Sequence, residues 1–228
     1  CDNSQMQEIC DEINDWTEEN NMTINPKKTK DMTISCLKAP PELVPISIDG
    51  EVIEKVQNHK LLGLYISNNL SWNVHVNEMC KKANKRLYFL IMLRRAGLDK
   101  HDLMIYYKQL IRPVMEYCCQ VWHSNLPDSL SDKIETIQER ALSIISMAPE
   151  GKSEIKELES LYNRREQLCK SYFRKIMTKD HILSDLLPHE YDHGYNTRHK
   201  TLLPKPICRT NRFMNSFINH GLLKFQHP

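Results

Sequence analysis

Six glycines in 228 residues leave little room for folds built on glycine-rich phosphate loops, and no GxGxxG or GxxxxGK string occurs. No uncharged apolar run approaches the roughly 20 residues that a spanning helix requires, so no membrane segment is expected. The eight cysteines stand at 1, 10, 36, 80, 118, 119, 169 and 208 with no CxxC among them, which removes the common zinc frameworks. Reduced, mostly structural thiols are expected, and with them an intracellular protein, cytoplasmic or nuclear. The sequence has no Asp-Asp pair and no GxSxG elbow. It also opens at Cys1 without an initiator Met or a secretory leader, and on that ground a fragment is expected.

What is present reads as a folded, rather polar chain: 40% hydrophobic residues, 26% charged, and a net charge of only +2. The small total conceals blocks. Residues 1–23 hold seven acids and no Lys or Arg, whereas residues 81–112 hold nine bases against Asp99 and Asp102. Residues 113–163 turn acidic again, with nine acids to four bases, and residues 164–228 carry twelve bases to five acids. Such alternation fits a protein with one face for a polyanion, or simply clustered solvated helix faces.

Periodicity divides the chain near residue 70. Met6, Ile9, Cys10, Ile13 and Trp16 recur at helical spacing over residues 3–21, with acids on the other face. Short alternations over 22–24 and 30–37, a Pro45–Ile53 hairpin around Asp49-Gly50, and a strand over His59–Ser67 follow. From Trp72 to Arg95 the stripe Val76, Met79, Cys80, Ala83, Leu87, Leu90 and Ile91 predicts a helix, ended by Gly97. Asp99 is placed to cap the next one, which is expected to bury Leu103, Tyr106, Leu110, Val114 and Val121 and to kink or break at Pro113. Further helices are expected over Ser129–Met147 and Ser153–Lys179, then an irregular tail with one short helix within Asn211–Phe225. The fold class is therefore α+β: residues 1–70 mixed, 71–180 an all-α bundle, 181–228 a tail.

None of this yields an active site. Two-metal phosphoryl chemistry needs carboxylates that hold ions about 3.5–4 Å apart, and the adjacent acids Asp11-Glu12 and Glu18-Glu19 fall on the solvent face of a helix. His75 and His123, beside Trp72 and Trp122, read as structural residues. His189, His193 and His199 lie in a stretch broken by Pro188 and Gly194, without a carboxylate or thiol at ligand spacing.

Several strings in order, however, resemble one family. TINPKKTKDMTIS (Thr23–Ser35), HKLLGLYISNNLSWNVHV (His59–Val76), KKANKRLYFL (Lys81–Leu90), IRPVMEYCCQVW (Ile111–Trp122) and DKIETIQERALSII (Asp132–Ile145) are similar to the reverse transcriptase of jockey-like non-LTR retrotransposons. YNTRHK and CRTNRFMNSFI extend the resemblance into the tail.

The resemblance implies a carboxyl-terminal part: end of palm, thumb and tail. The segment with Asn25, Lys28 and Thr29 looks like the palm motif whose lysine approaches a triphosphate or its leaving pyrophosphate; a plain solvated turn lysine is the alternative. The LLGLYIS segment, with Leu62 and Gly63, looks like the primer grip, and a simple strand bulge is the competing account of Gly63. Lys81, Lys82, Lys85 and Arg86 would track phosphates of a template–primer, RNA–DNA or DNA. The family's Tyr-x-Asp-Asp-like loop and upstream Asp, which bind magnesium in the complete polymerase, have no counterpart here. No cofactor is therefore expected in this chain, and its partners would be nucleic acid and the upstream palm and fingers of the same polymerase. The alternatives are a non-catalytic helical module co-opted for protein interaction, and a pseudogene product without function.

Overall fold

The computed structural model describes residues 4–35, 37, 43–149, 158–178, 180–189 and 203–226. Its contacts separate two units, Cys1–His75 and Val76–Pro228. The architecture is α+β, with short strands confined to the first unit and a helical bundle in the second.

The first unit opens on α1 (Ser4–Glu19), none of whose residues is buried. Gln7 fixes the helix to strand β2 (Ser47–Ile48) as an added strand would: its Nε2 donates to the Ser47 carbonyl at 2.8 Å, and its Oε1 accepts from the Ser47 N–H at 3.0 Å. One turn pair further on, Asn14 Nδ2 donates to Asp49 Oδ1 at 2.8 Å. Beneath these contacts Ile46, Ile48 and Ile53 form a small core, closed by the half-buried Cys10 and Ile24. The rest of the helical stripe stays open, with Met6, Ile9, Ile13 and Trp16 each about half exposed.

Three separate two-stranded sheets complete this unit. β1 (Lys30–Asp31) runs parallel to β4 (Glu54–Lys55), and β2 is antiparallel to β3 (Glu51–Val52) through Asp49-Gly50. Both turn residues have positive φ, 51° and 76°, as the tight hairpin predicted for this pair requires. The segment expected as one strand over His59–Ser67 is instead a second hairpin, β5 (Asn58–Leu61) against β6 (Leu64–Ser67). The chain reverses at Leu62-Gly63, with φ of 47° and 90°. Apolar alternation ran through the turn because Leu62 occupies a place where Asn or Asp is commoner, which hid the reversal. Likewise Met22–Ile24 forms no strand, and among the described residues of the 30–37 stretch only Lys30 and Asp31 lie in a strand.

The second unit is built on α2 (Asn73–Arg95), whose residues from Val76 onward belong to it. Val76, Met79, Cys80, Ala83, Leu87 and Leu90 are buried. Gly97, at φ 90°, stops the helix, and Asp99 caps α3 (Lys100–Tyr106) by accepting from the Asp102 N–H. Then the pattern departs from the expected one. Residues Tyr107–Ile111 form a π turn, followed by α4 (Arg112–Glu116) with Pro113 in its first turn. The buried face is Leu103, Tyr107, Ile111, Met115, Cys119 and Trp122, while Leu110 and Val121 are exposed and Tyr106 and Val114 only half-buried. A repeat of four residues keeps one face only where the helix is underwound, and the π turn supplies that underwinding. The break falls after Pro113, at Tyr117-Cys118, where Cys118 takes a left-handed φ of 48° before α5 (Cys119–Trp122).

α6 (Asp128–Ser146) and α7 (Leu161–Ile176) close the bundle. Glu135 Oε1 accepts from the Leu161 N–H at 2.9 Å, so α6 caps the start of α7 alongside Ser160. Tyr107 donates its hydroxyl to Gln138 Oε1, whose Nε2 donates in turn to the Glu159 carbonyl. Instead of one short helix the C-terminal stretch forms two, α8 (Asn211–Met214) and α9 (Phe217–Lys224). Gly221 lets α9 lie directly on α7: a Cβ there would stand 2.2 Å from the Phe173 ring.

A polar knot ties these helices. Arg165, fully buried, donates from Nε to His123 Nδ1 at 3.3 Å and from Nη2 to Ser131 Oγ at 3.2 Å, over the Trp122 ring. His123 Nε2 faces Glu166 Oε2 at 3.2 Å, and His220 Nε2 faces Glu166 Oε1 at 3.3 Å. Burial pushes the His123 pKa below its ordinary value, Glu166 pulling it the other way. Burial alone would raise the Glu166 carboxyl, but the two imidazoles hold it well below the usual carboxylate range. Because Arg165 always presents a donor, a proton on His123 Nδ1 would oppose it. A histidine with a depressed folded pKa contributes stability that is fully present above its unfolded pKa of about 6.5 and is lost as pH falls. Urea denaturation of the helical unit should therefore show a lower midpoint at pH 5.5 than at pH 7.5. In His123→Gln, which keeps an acceptor and a donor, that difference should shrink; an unchanged difference would remove His123 as its source.

Candidate nucleic-acid interface

The residues singled out from the sequence fall in both units, and each place is described within its own. In the first unit Asn25 organises the turn that carries Lys28. Its carbonyl accepts from the Lys28 N–H (3.1 Å), the Thr29 N–H (3.1 Å) and the Thr29 hydroxyl (3.0 Å). The ring of Pro26 presets its own φ at the second position of that turn. The turn leaves Lys28 exposed, whereas Lys30 beside it is taken up by an ion pair with Glu54.

Leu62 and Gly63 form the tip of the β5–β6 hairpin, and Leu62 is 84% exposed. Gly63 is thus a turn residue with positive φ, set between the two strands and not within one. Lys60 lies over the Tyr65 ring at 5.6 Å, a cross-strand pair that stiffens the hairpin.

In the second unit α2 brings Lys81, Lys82 and Lys85 together. With Glu78 and Asn84 they line a shallow open groove. Spacings of one, three and four residues keep all three lysines on one side of a helix. Lys81 is paired with Glu78 at 2.6 Å; among the described residues Lys82 and Lys85 have no carboxylate partner. Arg86 stands elsewhere. Its guanidinium donates to the carbonyl of Leu110, and its own carbonyl accepts from the Tyr106 hydroxyl at 3.4 Å, so it secures α2 to the turn before Pro113.

Two cations that the sequence reading did not select complete this face. Lys133 Nζ donates to Asn77 Oδ1 at 2.6 Å and Arg140 Nη1 to Asn84 Oδ1 at 3.1 Å. Matching seven-residue steps on both helices mean that α2 and α6 run side by side in the same direction. Lys133 and Arg140 are otherwise exposed, with further N–H groups to offer. The signal for them was their seven-residue spacing within an acidic helix, masked by the block's negative total. The five cations and two amides make a surface suited to oxyanions along a strand.

Among the described residues no group of three His, Cys, Asp or Glu is placed to hold a metal ion; His193 and His199 lie outside them. The described cysteines, Cys10, Cys80, Cys118, Cys119, Cys169 and Cys208, are free thiols. No helix among the described residues is long and apolar enough to cross a membrane.

Comparison with known proteins places this geometry in context. The chain is 22% identical over 143 residues to a probable RNA-directed DNA polymerase from transposon X-element of Drosophila melanogaster. It is 24% and 27% identical to the RNA-directed DNA polymerases from mobile element jockey of Drosophila funebris and Drosophila melanogaster. These matches cover 62–64% of this chain but only 15–16% of the relatives, so the chain spans about a sixth of the proteins it matches. It carries a region like that of non-LTR retrotransposon reverse transcriptases. A family model described as alkylated DNA repair protein alkB homolog 8, N-terminal, matches residues 72–112. No solved structure matches the chain.

Leu62 offers a direct test of the hairpin tip. A left-handed φ costs a non-glycine residue about 1–2 kcal/mol and Asn appreciably less, and the side chain buries almost nothing there. Leu62→Asn should therefore stabilise the first unit by about 0.5–1 kcal/mol, read as increased hydrogen-exchange protection over residues 58–67. A loss of protection would mean that Leu62 is packed against something in solution.

Proposed function

We propose that this chain is the carboxyl-terminal region of a jockey-like non-LTR reverse transcriptase, comprising the end of the palm, the thumb and the tail. Its role is to hold template–primer nucleic acid, RNA–DNA or DNA, while the polymerase centre with its magnesium ions belongs to upstream palm and fingers. The observation that carries this reading is the composite basic face, where α2 supplies Lys81, Lys82 and Lys85 and α6 lends Lys133 and Arg140. Lys28, exposed on the Asn25 turn, and the Leu62-Gly63 tip fit the palm lysine and primer grip of that family and are supporting contacts. Arg86 holds the thumb helix in place instead of touching phosphate.

A cationic face of this kind binds phosphates by releasing counterions, with a salt slope of about 0.9 per phosphate neutralised on B-form DNA. A titration with an RNA–DNA duplex across sodium chloride concentration should give a steep slope for the intact chain. Replacing Lys81, Lys82 and Lys85 by Ala should weaken binding at low salt and lower the slope by up to about 2.7. Binding no tighter than the nonspecific range, or a slope that the triple variant leaves unchanged, would contradict the proposal.

Primer extension is expected to be absent, because the sequence holds no Asp-Asp loop to place two metal ions. Magnesium-dependent synthesis by the purified 228-residue chain would show that it carries its own polymerase centre.

The exposed stripe of α1 gives a second reading some support. Met6, Ile9, Ile13 and Trp16 are what a module co-opted for protein interaction would present. Under that reading the three lysines are replaceable without consequence, and the same titration decides between the two.

A further inference from the structure

The outward face of α2 does not end with its lysines. Counted along the helix, Lys81, Lys85, Tyr88 and Met92 follow one another at steps of four, three and four residues, and Lys82 is followed by Phe89 seven residues on. These positions form one continuous strip. Tyr88 is 59% exposed, Phe89 57% and Met92 44%, and the two rings meet edge to face with centroids 5.8 Å apart. On the opposite side of the same helix Leu87 and Leu90 fill the bundle core. More than half of each ring therefore lies outside the bundle's own packing and leaves an apolar platform in water directly beyond the lysine groove.

We propose that Tyr88 and Phe89 form a stacking platform for unpaired nucleotides, with Lys81, Lys82 and Lys85 holding the flanking phosphates. The inference rests on the nucleic-acid reading above and extends it to single-stranded segments. Charge complementarity selects the occupant. An apolar protein surface would meet three lysines at its edge, whereas a nucleotide offers an apolar base face joined to an anionic phosphate. Stacking on an aromatic ring tolerates any base, since every base has a π-face, and it asks for no hydrogen-bond donors around the rings. The strip also has the right order for a strand that leaves a duplex: a cationic part that tracks the backbone, then rings that receive bases once they are no longer paired.

The test uses the full chain and three probes: a single-stranded oligonucleotide, a blunt RNA–DNA duplex, and the same duplex with a single-stranded overhang. Fluorescence anisotropy is read across salt concentration. Tyr88→Ala with Phe89→Ala should weaken single-strand and overhang binding by about tenfold for each ring lost. Blunt-duplex binding should change little, and the salt slope should stay as in the intact chain, because stacking releases no counterions. Tyr88→Leu with Phe89→Leu should weaken the same probes, since leucine keeps the apolar area and loses the π-face. Both side chains are exposed, and an unchanged thermal melt verifies that the fold is retained.

If the alanine pair binds single strands as tightly as the intact chain while the lysine variant does not, the platform is overturned and the basic face stands. If the leucine pair binds as the intact chain does, apolar area alone accounts for the effect and stacking is overturned. Self-association of the intact chain in sedimentation, abolished by the alanine pair, would assign the rings to a second copy and overturn the proposal. If the intact chain binds none of the probes, the nucleic-acid reading itself fails and the platform with it.

Discussion

The missing N–H of Pro113 is the constraint on which the helical unit turns. A proline inside a helix removes one donor and crowds the preceding turn; the chain carries a π turn over Tyr107–Ile111 ahead of it and breaks only beyond it, at Tyr117-Cys118. That one wide turn resets the helix phase. Tyr107, Ile111, Met115, Cys119 and Trp122 then all point inward, at about 1.5–3 kcal/mol of burial for each large side chain. Within that turn the carbonyl of Leu110 accepts from the Arg86 guanidinium. The contact draws one cation out of a run of four and into the scaffold.

The second structural cost is Arg165, a guanidinium with no exposed surface and, among the described residues, no carboxylate paired to it. Burying a charge is expensive unless it is richly hydrogen-bonded, and here the partners are an imidazole, a hydroxyl and a tryptophan face. The arrangement fixes the His123 tautomer, with Nδ1 accepting and Nε2 turned to Glu166. Glu166 in turn reaches His220 on α9, so one carboxylate spans the distance from the α5 end to the C-terminal helix. Gly221 makes that reach possible by allowing α9 to rest on Phe173. The last helix is therefore an integral part of the bundle, positioned by one small residue and one bridging carboxylate.

Much of this was legible in the sequence, and what was not has identifiable causes. The α2 stripe, the Gly97 stop, the Asp99 cap and the Asp49-Gly50 hairpin each follow from local chemistry that acts within a few residues, so a single sequence carries the full signal. The π turn does not, because a 3.6-residue template applied from Leu103 lands on Tyr106, Leu110 and Val114, one residue off the true face. Nothing in the residues before Pro113 announces whether the helix will kink or underwind; that depends on Gln138 and the bundle core waiting for Tyr107. The Leu62-Gly63 reversal was hidden for the opposite reason: a strained leucine where turn chemistry normally writes itself in Asn or Asp.

The candidate site shows the same division between local and tertiary information. Counting charge by blocks assigns the basic surface to residues 81–112, where Lys82 and Lys85 have no carboxylate partner among the described residues while their neighbours are engaged. Lys81 spends its charge partly on Glu78, and Arg86 is withdrawn to Leu110. Lys133 and Arg140, from a block with nine acids, join the three lysines on the face because Asn77 and Asn84 recur on α2 at the same seven-residue interval. Glu135, on the same acidic helix, is turned toward α7, where it accepts from the Leu161 N–H. A polyanion meets faces, not stretches of chain, so the field it feels is set by how two parallel helices are zipped together. The near-neutral total of +2 is compatible with a strongly basic face for that reason. Asn77 and Asn84, uncharged themselves, are the residues that decide where its positive charge lies.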